Sequence, residues 1–318
     1  MAQQIRTKLQ AAKRILLTVH ADPDGDALGS MLGLYAVLVE QWGKSVTMAT
    51  NGESPETFSY SFLPYFFKVQ DSFEPQDYDT VVLLDCNGWA RTGWFEDNEL
   101  NIAWPDELIV IDHHQAGEFT EGLVYSDTVV SSTSEMIYGL LRDWGVSITK
   151  EIATCLLTGI SFDTGSFQHP NTSQKTLEIA SDLASKGGNL ALVAQHLYIG
   201  KSVERLKLWG VVLQRMRYDD ELKATISVIT NEDLESTGTT KEDAEGLVNL
   251  INTVPNLKFS LLLSETPKGG VKGSFRTQDD KMDVNRLARL MGGGGHKRAA
   301  GFSLPAKLKT SDNKWDID

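Results

Sequence analysis

The feature that most constrains the fold is a set of short, continuous apolar runs that each stop at an acidic residue or a histidine. Ile15-Leu16-Leu17-Thr18-Val19 runs into His20-Ala21-Asp22-Pro23-Asp24-Gly25-Asp26. Thr80-Val81-Val82-Leu83-Leu84 meets Asp85, and Leu108-Ile109-Val110-Ile111 meets Asp112-His113-His114. Runs without polar alternation are what strands buried on both faces look like, and such strands form mainly parallel sheets covered by helices. Val46–Ala49 reads as another strand. Leu28, Met31, Leu32, Tyr35, Leu38 and Val39 recur at helical spacing over residues 27–41. Ser132 three residues before Glu135 has the capping-box pattern and opens a helix over 133–144. Further helices are expected over 149–160 and 173–185.

Lys186-Gly187-Gly188-Asn189 interrupts this alternation. Helical stretches at 190–197 and 203–216 then lead to strands at 222–230, 257–265 and 271–275. The last two are joined through Pro267-Lys268-Gly269-Gly270. Helices fit over 240–251 and 283–291. The expected class is α/β: a parallel-sheet domain flanked by helices over 1–187, a helical linker over 188–206, a smaller α/β domain over 207–305, and a frayed tail over 306–318.

Charge and composition exclude several functions. The 318-residue chain carries a net charge of −13, which opposes a grip on long duplex nucleic acid. The charge is uneven: residues 1–187 hold 11 basic and 26 acidic side chains, and residues 188–318 hold 19 and 17. No window of 18 apolar residues occurs, and residues 1–14 are polar with four basic side chains, so neither a membrane span nor a secretory signal is expected. Two cysteines, Cys86 and Cys155, cannot build a disulfide framework, which points to the cytoplasm.

A lone aspartate after a strand is usually a helix cap or turn residue. Here three of six histidines and several aspartates collect at the carboxyl ends of the strands, the edge where open α/β sheets place their ligands. Asp163, just past a predicted helix, is a further candidate. Crowded carboxylates repel unless something positive lies between them. Oxygen donors mixed with imidazole suit Mn²⁺ or Mg²⁺ better than a thiolate-type zinc site, and the number of donors suits two ions.

His20-x-x-x-Asp24-x-Asp26-x-x-Gly29-Ser30, Asp85, Asp112-His113-His114 and Asp163 resemble, in order and spacing, the motifs of the DHH phosphoesterase family. Gly292-Gly293-Gly294-Gly295-His296 followed by Ala299-Ala300-Gly301-Phe302 is similar to the signature of its accessory DHHA1 domain. The likeness runs from about Ile15 to Leu304. It implies that His20, Asp24 and Asp85 hold one divalent ion and Asp26, Asp85, His113 and Asp163 a second, with Asp85 shared. Mn²⁺ is expected ahead of Mg²⁺ or Co²⁺. Asp112 would orient an imidazole and His114 would face the substrate phosphate, so the catalytic set is Asp85, Asp112 and His114. Ser30, Arg276, Gly294, Gly295 and His296 would bind substrate in the cleft between the domains; residues 276–298 carry six basic and three acidic side chains.

The layout without added modules is similar to the branch of the family that acts on short oligoribonucleotides and on 3′-phosphoadenosine 5′-phosphate (pAp). The expected partners are short single-stranded RNA and small nucleotides, with a homodimer left open. Two alternatives stand beside this: a phosphodiesterase of cyclic dinucleotides such as c-di-AMP and its linear product pApA, and a nucleotide-binding module that no longer cleaves. A pyrophosphatase relative would lack the glycine-rich His296 segment, and a single-strand exonuclease would be longer.

Overall fold

In the computed structural model the apolar runs form a six-stranded, all-parallel sheet: β1 (Arg14–Thr18), β2 (Ser45–Ala49), β3 (Val69–Gln70), β4 (Thr80–Leu84), β5 (Glu107–Asp112) and β6 (Leu123–Ser126), in the order β3-β2-β1-β4-β5-β6. The structure describes residues 1–51, 60–94, 107–114, 119, 122–199, 202–244, 246–266, 269–295, 297–311 and 314–317. The helices of this first unit are α1 (Ala2–Ala11), α2 (Gly25–Ala36), α3 (Thr133–Trp144), α4 (Lys150–Asp163), α5 (Gln174–Ser185) and α6 (Leu190–Ala194).

Strand alternation explains the unbroken apolar runs. Ile15, Leu17, Val82, Leu84, Ile109 and Ile111 enter one core with the helices. Leu16, Val81, Leu83 and Val110 turn to the other face, against Trp89, Trp94, Phe73 and Phe119. Both faces are covered, so neither set has a polar side to show. Trp94 also donates its indole N–H to Thr18 Oγ1 at 3.0 Å, which makes it part of the packing. Buried α2 packs closely on α4; a Cβ on Gly29 would stand 2.5 Å from Cys155 O. Only hydrogen fits there.

Lys201–Asp318 forms a second compact unit after Met1–Gly200. It contains α7 (Val203–Gln214), β7 (Arg217–Asp219), β8 (Ala224–Ile229), α8 (Asn231–Thr237), α9 (Leu247–Ile251), β9 (Phe259–Glu265), β10 (Val271–Arg276), α10 (Val284–Leu290), β11 (Gly294–Gly295) and β12 (Ala299–Leu304). The sheet order is β11-β12-β10-β9-β8-β7, with β8 and β9 parallel and the other pairs antiparallel. α7 and α9 contribute Leu208, Val212, Leu247 and Ile251 to one core, while α10 contributes Val284 and Ala288 to another.

Three local expectations need correction. The helix expected over 240–251 is a short turn at Glu242–Ala244 followed by α9, because Gly246 adopts φ +81° and breaks the path. The stretch expected to fray holds paired strands β13 (Leu308–Ser311) and β14 (Lys314–Ile317). Leu190–Ala194, expected in the linker, sends fully buried Val193 into the first unit's core. Among the described residues no helix is long and apolar enough to cross a membrane.

Candidate metal centre

The strand order of the first unit reverses between β1 and β4, and open α/β sheets leave a crevice at that point. His20 and Asp24 follow β1, Asp85 follows β4, and Asp112 ends β5. Asp85 takes φ +52°, a left-handed conformation that aspartate tolerates better than most residues. Its amide donates to Ile111 O at 3.0 Å, so the neighbouring strand holds the turn.

Each carboxylate is oriented by backbone donors. Asp24 caps α2, its Oδ1 accepting from the amides of Asp26 (2.9 Å) and Ala27 (3.1 Å). Its other oxygen lies 3.9 Å from His20 Nε2. Capping and facing the histidine are therefore one residue's two tasks. Asp26 is fully buried on the N-terminus of α3, where the amides of Thr133 and Ser134 donate to its two oxygens at 2.6 and 2.9 Å. Free N–H groups and the helix dipole favour an anion there. Room for it comes from Gly159 on α4, whose absent Cβ would strike Asp26 Oδ1.

The imidazoles are arranged as complements. His20 Nδ1 donates to Ala21 O at 2.8 Å, leaving Nε2 toward Asp24 and, at 3.7 Å, Asp85. His113 Nε2 lies 3.0 Å from Asp163 Oδ2 and 3.6 Å from Asp85 Oδ1, yet it is buried with no aligned hydrogen-bond partner. His114 Nδ1 stands 2.7 Å from Asp112 Oδ1 and 3.4 Å from Asp85 Oδ1. Among the described residues three donor sets emerge, each with ligand atoms within 4.8 Å of one another: His20, Asp24 and Asp85; Asp26, His113 and Asp163; and Asp85, His113 and His114.

The electrostatics show which charge the arrangement favours. Burial raises Asp24, Asp26 and Asp163, with the Asp85 charge adding to it, and Asp163 reaches about 6. Burial also opposes ionisation of Asp85, but His20, His114 and His113 hold it well below the usual range. His20 and His113 are pulled down by burial and pushed up more strongly by the carboxylates, to about 9 and 10. The protein groups balance one another only by retaining protons. A divalent cation relieves this directly, and the buried, unaligned His113 Nε2 among carboxylate oxygens is the donor chemistry it requires.

The structure thus brings together His20, Asp24, Asp26, Asp85, Asp112, His113, His114 and Asp163. Ser30 does not join them. α2 opens at Gly25, so Ser30 sits in the second turn, and its fully buried hydroxyl donates to Ala27 O at 3.0 Å; the expectation that it meets a phosphate is wrong. In the second unit Arg276 and Gly295 lie on either side of β12, paired with Ala299 and Ala300. Arg276 donates from Nε to Asn249 Oδ1 and from Nη1 to Phe275 O, both at 2.9 Å. The glycine run has more structural work than a single helix stop. Gly292 (φ +75°) ends α10, Cβ atoms on Gly293 or Gly295 would strike β12, and Gly292 and Gly294 face open space. His296 lies outside the described residues.

Thr133 was missed in the sequence. Its hydroxyl donates to Asp85 Oδ1 at 3.0 Å. The signal was present, since a helix start among serines and threonines offers donors to any nearby carboxylate. The sequence pattern casts Glu135 as half of a capping box. Ser132 does accept from the Glu135 amide, but the Glu135 carboxylate turns to Ser131 and Thr176 instead.

Residues 14–160 match the N-terminal domain of the DHH family, and residues 222–314 match the DHHA1 domain. The bifunctional oligoribonuclease and PAP phosphatase NrnA of Thermus thermophilus is 31% identical over 291 residues, covering 91% of this chain and 84% of its own length. The chain belongs to the DHH family. It is a phosphoesterase, a hydrolase of phosphate esters. A crystal structure of an exopolyphosphatase-related protein from Bacteroides fragilis superposes with a TM-score of 0.86 at 31% identity, covering 95% of this chain and 90% of that one. A probable manganese-dependent inorganic pyrophosphatase of Streptococcus agalactiae is 30% identical over 181 residues, 55% of this chain and 56% of its own. The shared region and the acidic, histidine-rich cluster suit a divalent metal.

Proposed function

We propose that this DHH phosphoesterase hydrolyses short oligoribonucleotides to mononucleotides and pAp to AMP, with two divalent ions, Mn²⁺ foremost, in the first unit. The observation that carries the reading is the placement of Asp85, which belongs to two of the donor sets and is ionised at the centre of the cluster. One ion would be held by His20, Asp24 and Asp85, the other by Asp26, Asp85, His113 and Asp163. Bound there, paired cations would supply charge neutralisation at phosphoryl oxygens and a more acidic water for in-line attack.

The chain's own groups do the positioning. The amides of α3 fix Asp26, the Thr133 hydroxyl fixes Asp85 beside three imidazoles at 3.4–3.7 Å, and Ala21 O sets the His20 tautomer. Asp112 holds His114 through both its ring nitrogen and its backbone amide, the latter at 3.1 Å. So oriented, His114 donates to a phosphoryl oxygen as charge develops. The DHHA1 unit grips the nucleotide through Arg276, Gly294, Gly295 and His296. Its residues 276–298 are locally basic, against an acidic first unit.

The test is a substrate panel on chelated protein with and without added Mn²⁺: an RNA dinucleotide, pAp, pApA and c-di-AMP. Metal-dependent release of mononucleotides from the dinucleotide and of AMP from pAp is expected. Turnover confined to c-di-AMP and pApA replaces the substrate class, and inactivity on all four defeats the proposal.

A further inference from the structure

The turn that follows Asp163 is built under strain, and nothing in the catalytic account uses it. Gly165, Ser166 and Phe167 take φ of +54°, +57° and +65°, three left-handed residues in succession, two of them with side chains. Such backbone persists only where surrounding contacts over-determine it. Those contacts lead back to the last turn of α4. Thr164 Oγ1 donates to Ile160 O (2.6 Å) and accepts from the Phe167 amide (3.0 Å). The amides of Gln168 and His169 donate to Thr164 O at 2.9 and 2.8 Å, and that of Ser166 to Ser161 O at 2.7 Å.

The turn delivers two side-chain donors to one atom. His169 Nδ1 donates to Asp163 O at 3.0 Å, and Asn171 Nδ2 donates to the same oxygen at 3.3 Å. Gly165 makes the first possible, because any side chain there would run into the His169 ring. Pro170 separates the two donors and restrains the backbone between them. Asn171 Nδ2 also reaches Ser131 O at 3.2 Å, just ahead of the α3 terminus that holds Asp26 and supplies Thr133 to Asp85. One carboxamide therefore ties the end of α4, carrying Asp163, to the start of α3.

We infer that His169 and Asn171 are positioning residues that hold Asp163 in register with Asp26 and Asp85, so that these carboxylates meet a single cation. This rests on the metal-ligand reading above. Neither residue touches the donor atoms themselves. Their effect reaches Asp163 through its own carbonyl and Asp26 through the start of α3. Groups that orient ligands in this way carry tenfold or larger effects on metal affinity.

The experiment is Mn²⁺ titration of the full-length protein, followed by the electron paramagnetic resonance signal of free Mn²⁺, for wild type, Asn171→Ala, His169→Ala and His169→Asn. Mn²⁺-dependent turnover of an RNA dinucleotide is measured in parallel. The alanine variants should weaken one class of Mn²⁺ site about tenfold or more, with kcat largely recovered at saturating Mn²⁺ and KM for the dinucleotide unchanged. His169→Asn should stay close to wild type, because its amide can donate to the same carbonyl. Thermal unfolding in chelator should differ little among the four. Titrations of both alanine variants that overlay wild type overturn the proposal, as does a kcat loss that saturating Mn²⁺ leaves in place. Wild-type protein that binds no Mn²⁺ overturns the reading beneath it instead.

Discussion

Replacing Gly159 by alanine adds one methyl group where three elements of the candidate centre converge. A Cβ there would stand 2.8 Å from Ser134 Cβ, and nearer still to Ser134 Oγ and Asp26 Oδ1, whereas ordinary contact begins at 3.4 Å. The α3 terminus must retreat by at least about 0.6 Å, and the Asp26 carboxylate by roughly 1 Å, in an interior that does not compress. Overpacking of this kind costs about 1–3 kcal/mol of stability. A misplacement of about 1 Å among reacting groups costs on the order of 10²-fold in rate. Gly159→Ala should therefore lower kcat on a dinucleotide about a hundredfold while the protein stays folded. Gly139→Ala is the control, because it is exposed within α3 and a Cβ there meets nothing within 4 Å. It should leave kcat alone and stabilise by about 0.5–1 kcal/mol, since alanine suits a helix interior better than glycine. Urea unfolding and steady-state kinetics on the pair decide the matter. If Gly159→Ala keeps wild-type kcat, the close packing of α4 on Asp26 does not set the site's geometry.

Asp85→Asn keeps the shape and tolerates the left-handed backbone but removes the central charge, so kcat should fall by about 10³-fold in the Mn²⁺ assay; a loss under tenfold would refute the shared role of Asp85. His296→Ala should raise KM for the dinucleotide far more than it lowers kcat, and the reverse split would place His296 in the chemistry instead. In the second unit, Asp233 pairs with Arg215 at 2.5 and 2.8 Å. Burial opposes its ionisation, but Arg215 and Thr230 hold its carboxyl below the ordinary range. The stability this contributes is present above about pH 3.9 and is lost as pH falls through the depressed folded value. Asp233→Asn should cost about 1–3 kcal/mol at pH 7 in urea unfolding, with the gap to wild type narrowing only below pH 4. An equal gap at pH 3 would show that the charge is not what matters.

The first unit was legible wherever burial dictated composition. β4 falls on the predicted residues 80–84, and α3 spans 133–144 as expected, because two-sided burial and a capping serine leave strong local marks. α1 went unseen: only Ile5 and Leu9 of its ten residues are buried, too sparse a stripe to register within a basic segment. The 240–251 error has the opposite origin. Its apolar pattern is real, but Gly246 takes a left-handed turn that periodicity does not encode. Ser30 was misplaced because Gly29-Ser30 was expected to precede or open the helix, whereas α2 begins at Gly25 and carries Ser30 into its second turn. The acidic cluster could be foreseen because His20, Asp24, Asp85 and Asp112 follow or end strands that share one edge. The donors that orient them could not, since Thr133 lies 48 residues from Asp85 and the Ser134 amide 108 from Asp26.

That asymmetry follows from how the carboxylates are held. Asp24 spends one oxygen on capping α2, and Asp26 offers both oxygens to the start of α3, so neither side chain is free to rotate. A carboxylate has about four lone-pair directions, and one or two amide bonds leave the rest for a cation. The residue types that mark an ordinary helix start are thus the ones that make a rigid anionic site. Capping and metal binding are not competing explanations at Asp24. The cap fixes the orientation that would let the free oxygen serve as a ligand, and an unfixed aspartate at the same position would have to lose that rotational freedom on binding.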